Sequence, residues 1–181
     1  DILENGAKQW LVSSMLSFVE DGVNSRGTEF HIDNSKLVKE ILILIFKNDN
    51  SKIHDYEELN MTALNSTKGK LYSSMFLYSL WHSRNSGYDD SENGIWDKDL
   101  QEIATMLLKE NSNVLFHHTV GKFLPNIAYL DKQWVLDNFN EIYSQTNGEV
   151  FSAAIDGYFF YNNQPNKFLF DLFEQRQIFE K

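Results

Sequence analysis

Thr67-Lys68-Gly69-Lys70-Leu71-Tyr72-Ser73-Ser74-Met75-Phe76-Leu77-Tyr78-Ser79-Leu80-Trp81-His82-Ser83-Arg84 decides the fold. Leu71, Tyr72, Met75, Phe76, Leu77, Tyr78, Leu80 and Trp81 do not alternate as a half-buried strand would. The stretch is also too long for an ordinary strand, and Asn65, Ser66 or Thr67 stands ready to cap it. It reads as a helix that is apolar around most of its circumference, hence central and covered on several sides. Gly69 in its first turn costs about 1 kcal/mol against alanine, so a neighbouring backbone is expected to approach there.

Helical spacing continues outward in both directions. Upstream, Leu11, Val12, Met15, Phe18 and Val19 form one stripe, and Asp21-Gly22 is expected to close that helix. Asn34 or Ser35 caps the next, with Leu37, Ile41, Leu44 and Ile45 as its buried face. Residues 48–65 read as a polar connection and 85–96 as a second one. Downstream, Asp97 caps a helix carrying Leu100, Ile103, Ala104, Leu107 and Leu108. Another begins near Asn113 with Phe116, Val120, Phe123 and Leu124, and Pro125 interrupts or kinks it. Asp131 caps a helix with Val135, Phe139, Ile142 and Tyr143 on one side. Asn147-Gly148 marks a turn before Phe151, Ala154, Ile155, Tyr158 and Phe159. Pro165 breaks the pattern again before Leu169, Leu172, Phe173 and Arg176.

The sum is about eight helices on short connections, an all-α chain. Even spacing favours an irregular α-α superhelix of the HEAT or armadillo kind, with a closed helical bundle as the alternative. The 181 residues, 42% hydrophobic and 14% aromatic, suffice for one domain, residues 1–181. The ends read as cut from a larger protein.

Sixteen basic against 26 acidic side chains give a formal charge of −10. That argues against a dedicated nucleic-acid or anionic-membrane surface, which needs a basic patch. No apolar run reaches the roughly 18 residues that a membrane span requires. The absence of cysteine excludes disulfides and thiolate chemistry and, with no visible signal peptide, points to the cytoplasm.

Three stretches together carry a resemblance. They are Ala63-Leu64-Asn65-Ser66-Thr67-Lys68-Gly69-Lys70-Leu71 running into Leu80-Trp81-His82-Ser83-Arg84; Val120-Gly121-Lys122-Phe123-Leu124-Pro125 running on to Tyr129-Leu130-Asp131-Lys132-Gln133-Trp134-Val135; and Ala153-Ala154-Ile155-Asp156-Gly157-Tyr158-Phe159. Their order resembles the C-terminal helical region of large bacterial STAND-type ATPases and sirtuin-like proteins associated with anti-phage defence. It spans roughly residues 60 to 181. The chain departs from that pattern at Ile155-Asp156, where a tryptophan is expected before Gly157. The resemblance implies a sensor or scaffold, with the effector chemistry elsewhere in the parent protein.

Motifs for catalysis are incomplete. Gly69-Lys70-Leu71 lacks the upstream glycine and the hydroxyl of a phosphate loop. Asn65 and Lys70 remain possible polar contacts at that helix N-terminus. Asp89-Asp90-Ser91-Glu92-Asn93-Gly94 imitates half a calcium loop, but Leu100 stands where the bidentate glutamate belongs, so a solvated acidic turn is expected. His117 and His118 point about 100° apart on a helix and do not chelate one metal. They, and His54 beside Asp55, Glu57 and Glu58, read as surface or half-buried histidines. No Gly-x-Ser-x-Gly elbow occurs. No catalytic residue, cofactor or metal is therefore assigned.

The aromatics stand out. Trp10, Trp81, Trp96 and Trp134 should dominate burial, while Tyr158-Phe159-Phe160-Tyr161 encircles its helix and cannot all face one core. Partner-binding candidates are Trp81, Arg84, Trp96, Trp134, Phe160 and Tyr161. Three functions follow as expectations: a non-catalytic segment that binds a protein partner or other domains of the same chain, a structural or oligomerising arm, and an unrecognised enzyme.

Overall fold

The computed structural model describes residues 9–24, 27–49, 58–87, 93–110 and 112–178. Ten α-helices and a 3-10 turn, and no strand, occur among the described residues. The helices are α1 (Gln9–Asn24), α2 (Ser35–Asn48), α3 (Leu59–Asn65), α4 (Thr67–Asn85), α5 (Lys98–Leu108), α6 (Val114–Leu130), α7 (Lys132–Asp137), α8 (Phe139–Ile142), α9 (Gly148–Tyr161) and α10 (Lys167–Gln175). The 3-10 turn, Ile32–Asn34, leads into α2.

Capping chemistry sets most of the starts. Ser66 Oγ accepts from Gly69 N at 2.9 Å, Asp131 Oδ1 from Trp134 N at 2.9 Å, and Asn166 Oδ1 from Leu169 N at 3.2 Å. Asp97, Asn113 and Asn147 cap α5, α6 and α9 in the same way. Asn34 precedes α2 but makes no side-chain capping bond.

Two helices form the centre. The outer helices α1, α2 and α3 all pack on α4, and α4 packs in turn on α6. The most extensive helix pair is α6 with α9. As its composition predicts, α4 is buried nearly all round, from Leu71 and Tyr72 to Trp81. Its buried serines 73, 74, 79 and 83 are small enough to let neighbours close in. Gly69 meets the α3 backbone, where a Cβ would overlap the Ala63 carbonyl. At the far end, Phe139, Tyr143, Tyr158 and Phe173 stack edge to face or tilted at 5.0–6.1 Å, fixing α8, α9 and α10 together.

Four local expectations change. The connection 48–65 contains α3, which adds a helix where polar composition hid one. The helix after Asp131 breaks at Asn138 into α7 and α8, although Val135, Phe139, Ile142 and Tyr143 are all buried as their spacing predicts. These two changes turn about eight helices into ten. The first helix runs past Gly22 to Asn24, and Phe30 folds back over Gly22 where a Cβ would stand. In α2 the buried face is Val38, Leu42 and Ile45, with Leu37 and Leu44 turned out at 57% and 49% exposure.

Pro125 sits inside α6 without ending it. It has no N–H for the Gly121 carbonyl one turn back. Asn162 Nδ2, just past α9, reaches across to that group at 3.5 Å and to the Lys122 carbonyl at 3.1 Å. The same nitrogen also holds the Tyr158 carbonyl at 2.9 Å, so one amide closes α9 and covers the proline gap in α6.

Candidate functional site

The run Tyr158-Phe159-Phe160-Tyr161 divides its four rings between three environments. Tyr158 turns inward against Phe173. Phe159 and Phe160 face out, at 54% and 63% exposure. Tyr161 leans back on α6, its ring edge-on to His118 at 6.0 Å and beneath the Lys122 ammonium at 4.7 Å. The short link 162–166 and the Asn166 cap fold α10 back beside α9. Phe170 thereby joins Phe159 on the rim of an apolar groove of about 450 Å³, floored by Tyr158 and Phe173.

A polar seam runs behind this face, through α1, α4, α6, α9 and α3. Lys70 Nζ donates to Ser13 Oγ and Ser17 Oγ, each at 3.0 Å. Burial holds the Glu20 carboxyl above the usual carboxylate range, against the pull of Lys122 and Lys70. Burial pushes the Lys122 ammonium down, and Glu20 opposes this. Beyond Lys122 lies His118, whose Nε2 is 2.9 Å from Asn60 Oδ1 and 3.3 Å from Asp156 Oδ2. Asn60 Nδ2 donates to the same Asp156 oxygen at 3.1 Å. Burial lowers the His118 pKa, with Asp156 opposing. His117 points elsewhere, Nδ1 being 3.4 Å from the Ile142 carbonyl, and burial lowers its pKa too.

Both histidines are fully buried, which corrects the expectation of surface or half-buried rings. They diverge as their adjacency predicts. Among the described residues no three His, Cys, Asp or Glu side chains converge to hold a metal ion. The His118 arrangement resembles a catalytic dyad in composition only. Its Nε2 is committed to Asn60 and Asp156, and its Nδ1 is sealed from solvent. His54, Asp55, Glu57 and Asp89 to Glu92 lie outside the described residues.

Three of the partner-binding candidates are core. Trp81 has no exposed surface, and Trp96 and Trp134 retain only 7% and 6%. Trp96 packs on Trp134 at 5.1 Å, and Trp134 Nε1 donates to Thr105 Oγ1 at 2.8 Å. Their size drives them inward, so none presents a docking surface. Trp10 departs the other way, with 63% of its surface exposed on α1. Arg84 is half exposed but engaged within the chain, near Glu29 at 3.8 Å and the Val23 carbonyl at 3.4 Å. Phe160 is largely exposed, whereas Tyr161 offers a half-buried ring and an enclosed hydroxyl. Sequence reasoning missed Phe159 and Phe170 as rim residues, because nothing in the sequence says that α10 folds back on α9. It missed the seam because Asn60, His118 and Asp156 are far apart in the chain.

No family model, curated protein or solved structure matches this sequence.

Proposed function

We propose that this chain is a non-catalytic recognition segment of a larger bacterial protein, binding a protein partner or another domain of its own chain through the α9–α10 face. One observation carries the reading: Phe159 and Phe170 stand more than half exposed on the rim of one apolar groove, with the exposed Phe160 next along α9. Clustered exposed aromatics beside a pocket are the usual anchors of a protein interface. The formal charge of −10 would set partner choice and encounter rate more than affinity. The finer architecture belongs to the same proposal. The dominant pairs α1 with α4 and α6 with α9, joined through α4 and α6, support an irregular α-α array. The resemblance of roughly residues 60–181 to helical regions of defence-type ATPases and sirtuin-like proteins supports a cytoplasmic sensor role beside an effector module.

The test is a triple variant, Phe159→Ser, Phe160→Ser and Phe170→Ser. These side chains are exposed, so the far-UV circular dichroism and melting temperature should match the wild type. Partner binding, read by chemical crosslinking in cells and mass spectrometry of the adduct, should disappear. An identical adduct pattern in the variant, or turnover of a substrate by the purified chain alone, contradicts the reading. A second reading, an oligomerising arm, draws on the outward Leu37 and Leu44 of α2. Light scattering separates the two, since a stable oligomer of the purified chain that Leu37→Ser disperses favours the arm.

A further inference from the structure

His118 lies on α6 with no exposed surface, yet its ring ties two other helices together. Asn60 Oδ1 on α3 and Asp156 Oδ2 on α9 both face Nε2, at 2.9 Å and 3.3 Å. Asn60 uses its amide N–H on that same carboxylate, so both oxygens act as acceptors and the ring proton belongs on Nε2. Nδ1 then holds a lone pair, buried and without a hydrogen-bond partner. A second proton has to enter at Nδ1, where no acceptor meets it.

The surrounding charges do not make that proton welcome. From α6 itself, Lys122 opposes a positive ring. From α9, Asp156 favours it, but that side chain is 48% exposed and already accepts from Asn60. Tyr161, also on α9, presents only a ring edge. From α1, Glu20 acts on Lys122, and Lys70 of α4 acts on Glu20. His117 faces α8, away from this junction.

The junction also has no slack. A Cβ on Gly157 would overlap the His118 carbonyl, and one on Gly121 would overlap the Ala154 carbonyl. The charged ring therefore cannot swing to water while α9 stays seated. Beyond α6, α9 rests mainly on α8, and Phe173 ties α10 to Tyr158 of α9 and to Phe139 and Tyr143 at α8.

We propose that His118 is an acid-released latch: proton uptake on its ring opens the junction of α3, α6 and α9 and lets α9 and α10 move off α6, while α1, α2 and α4 stay packed. This goes beyond the recognition role and holds whether or not a partner binds there. The latch would change how the groove between α9 and α10 is presented in mildly acidic surroundings.

Hydrogen exchange of the whole chain from pH 7.5 to 5, corrected for intrinsic exchange, tests the latch. Protection in α9 and α10 should fall by about tenfold per pH unit below about 6.5, the slope for one proton taken up on opening. Protection in α4, which opens only with the whole fold, should stay above that of α9 at every pH in the range. His118→Gln keeps an N–H donor and takes no proton, so its α9 protection should not change with pH. In wild type, nitrogen shifts of the ring should report the Nε2–H tautomer at pH 7.5 and protonation together with α9 opening. That arm decides the matter if the variant does not fold. Equal protection of α4 and α9 throughout, a protonated His118 within a protected α9, or an unchanged response in His118→Gln overturns the latch.

Discussion

Asn162 shows how far one side chain can act. Its amide serves three carbonyls, of which the Gly121 carbonyl is left without a backbone donor by Pro125. Asn162→Ala should cost about 1–2 kcal/mol by urea denaturation, the usual penalty for stranding a buried carbonyl, here that of Gly121. A smaller loss would mean that water serves them equally well. None of this is visible in sequence, because Pro125 and Asn162 meet only when α9 crosses α6. The capping residues are the opposite case. Asp97, Asn113 and Asp131 each accept from the amide three residues on, so local chemistry alone predicts them. The tryptophans mislead for a simple reason. A large ring suits a core and an interface equally in sequence, and Trp81, Trp96 and Trp134 are buried while Trp10 is not.

Between elements, the closest approach is set by glycine. Gly121 and Gly157 each lie against a backbone carbonyl of the opposite helix, in α9 and α6 respectively. Alanine at either position improves helix propensity by up to about 1 kcal/mol but has nowhere to place its methyl. Gly157→Ala should therefore lose about 1–3 kcal/mol net by denaturant unfolding. Gly148→Ala, at the open start of α9, should stay within about 0.5 kcal/mol of wild type. Equal effects of the two would show that the α6–α9 contact is looser than described. Helix α2 shows the limit of periodicity. Its run Ile41 to Phe46 is apolar throughout, so spacing permits two inward faces. Tertiary contacts choose between them: Lys39 Nζ reaches Asp97 at 2.9 Å and Asp99 at 2.8 Å, on the N-terminus of α5. The break at Asn138 is similarly hidden, since the apolar spacing runs straight across it.

For the whole molecule, the two buried histidines govern acid stability. Both have folded-state pKa values lowered by burial, so the unfolded chain takes up protons that the folded chain refuses. The stability they confer is whole above about pH 6.5 and declines below it, by up to about 1.4 kcal/mol per pH unit for each. Glu20 works in the other sense. Its raised pKa lets the folded state bind a proton first, which offsets part of the loss toward the ordinary carboxylate range. Urea midpoints should therefore fall between pH 7 and 5.5, and His117→Gln should flatten part of the slope. A midpoint that rises on acidification would contradict the assignment of neutral rings. All-helical class and a heavily buried 67–84 segment follow from composition and spacing alone. The groove does not, because it depends on a five-residue link turning α10 back on α9.

The most direct measurement places a photoreactive phenylalanine analogue at position 160 and, as a control, at the exposed Glu102 of α5 in living cells. Recognition through α9 and α10 requires a discrete protein adduct from position 160 and none from 102. No adduct at 160, or the same pattern from both sites, would mean that the aromatic face is not where this chain meets a partner.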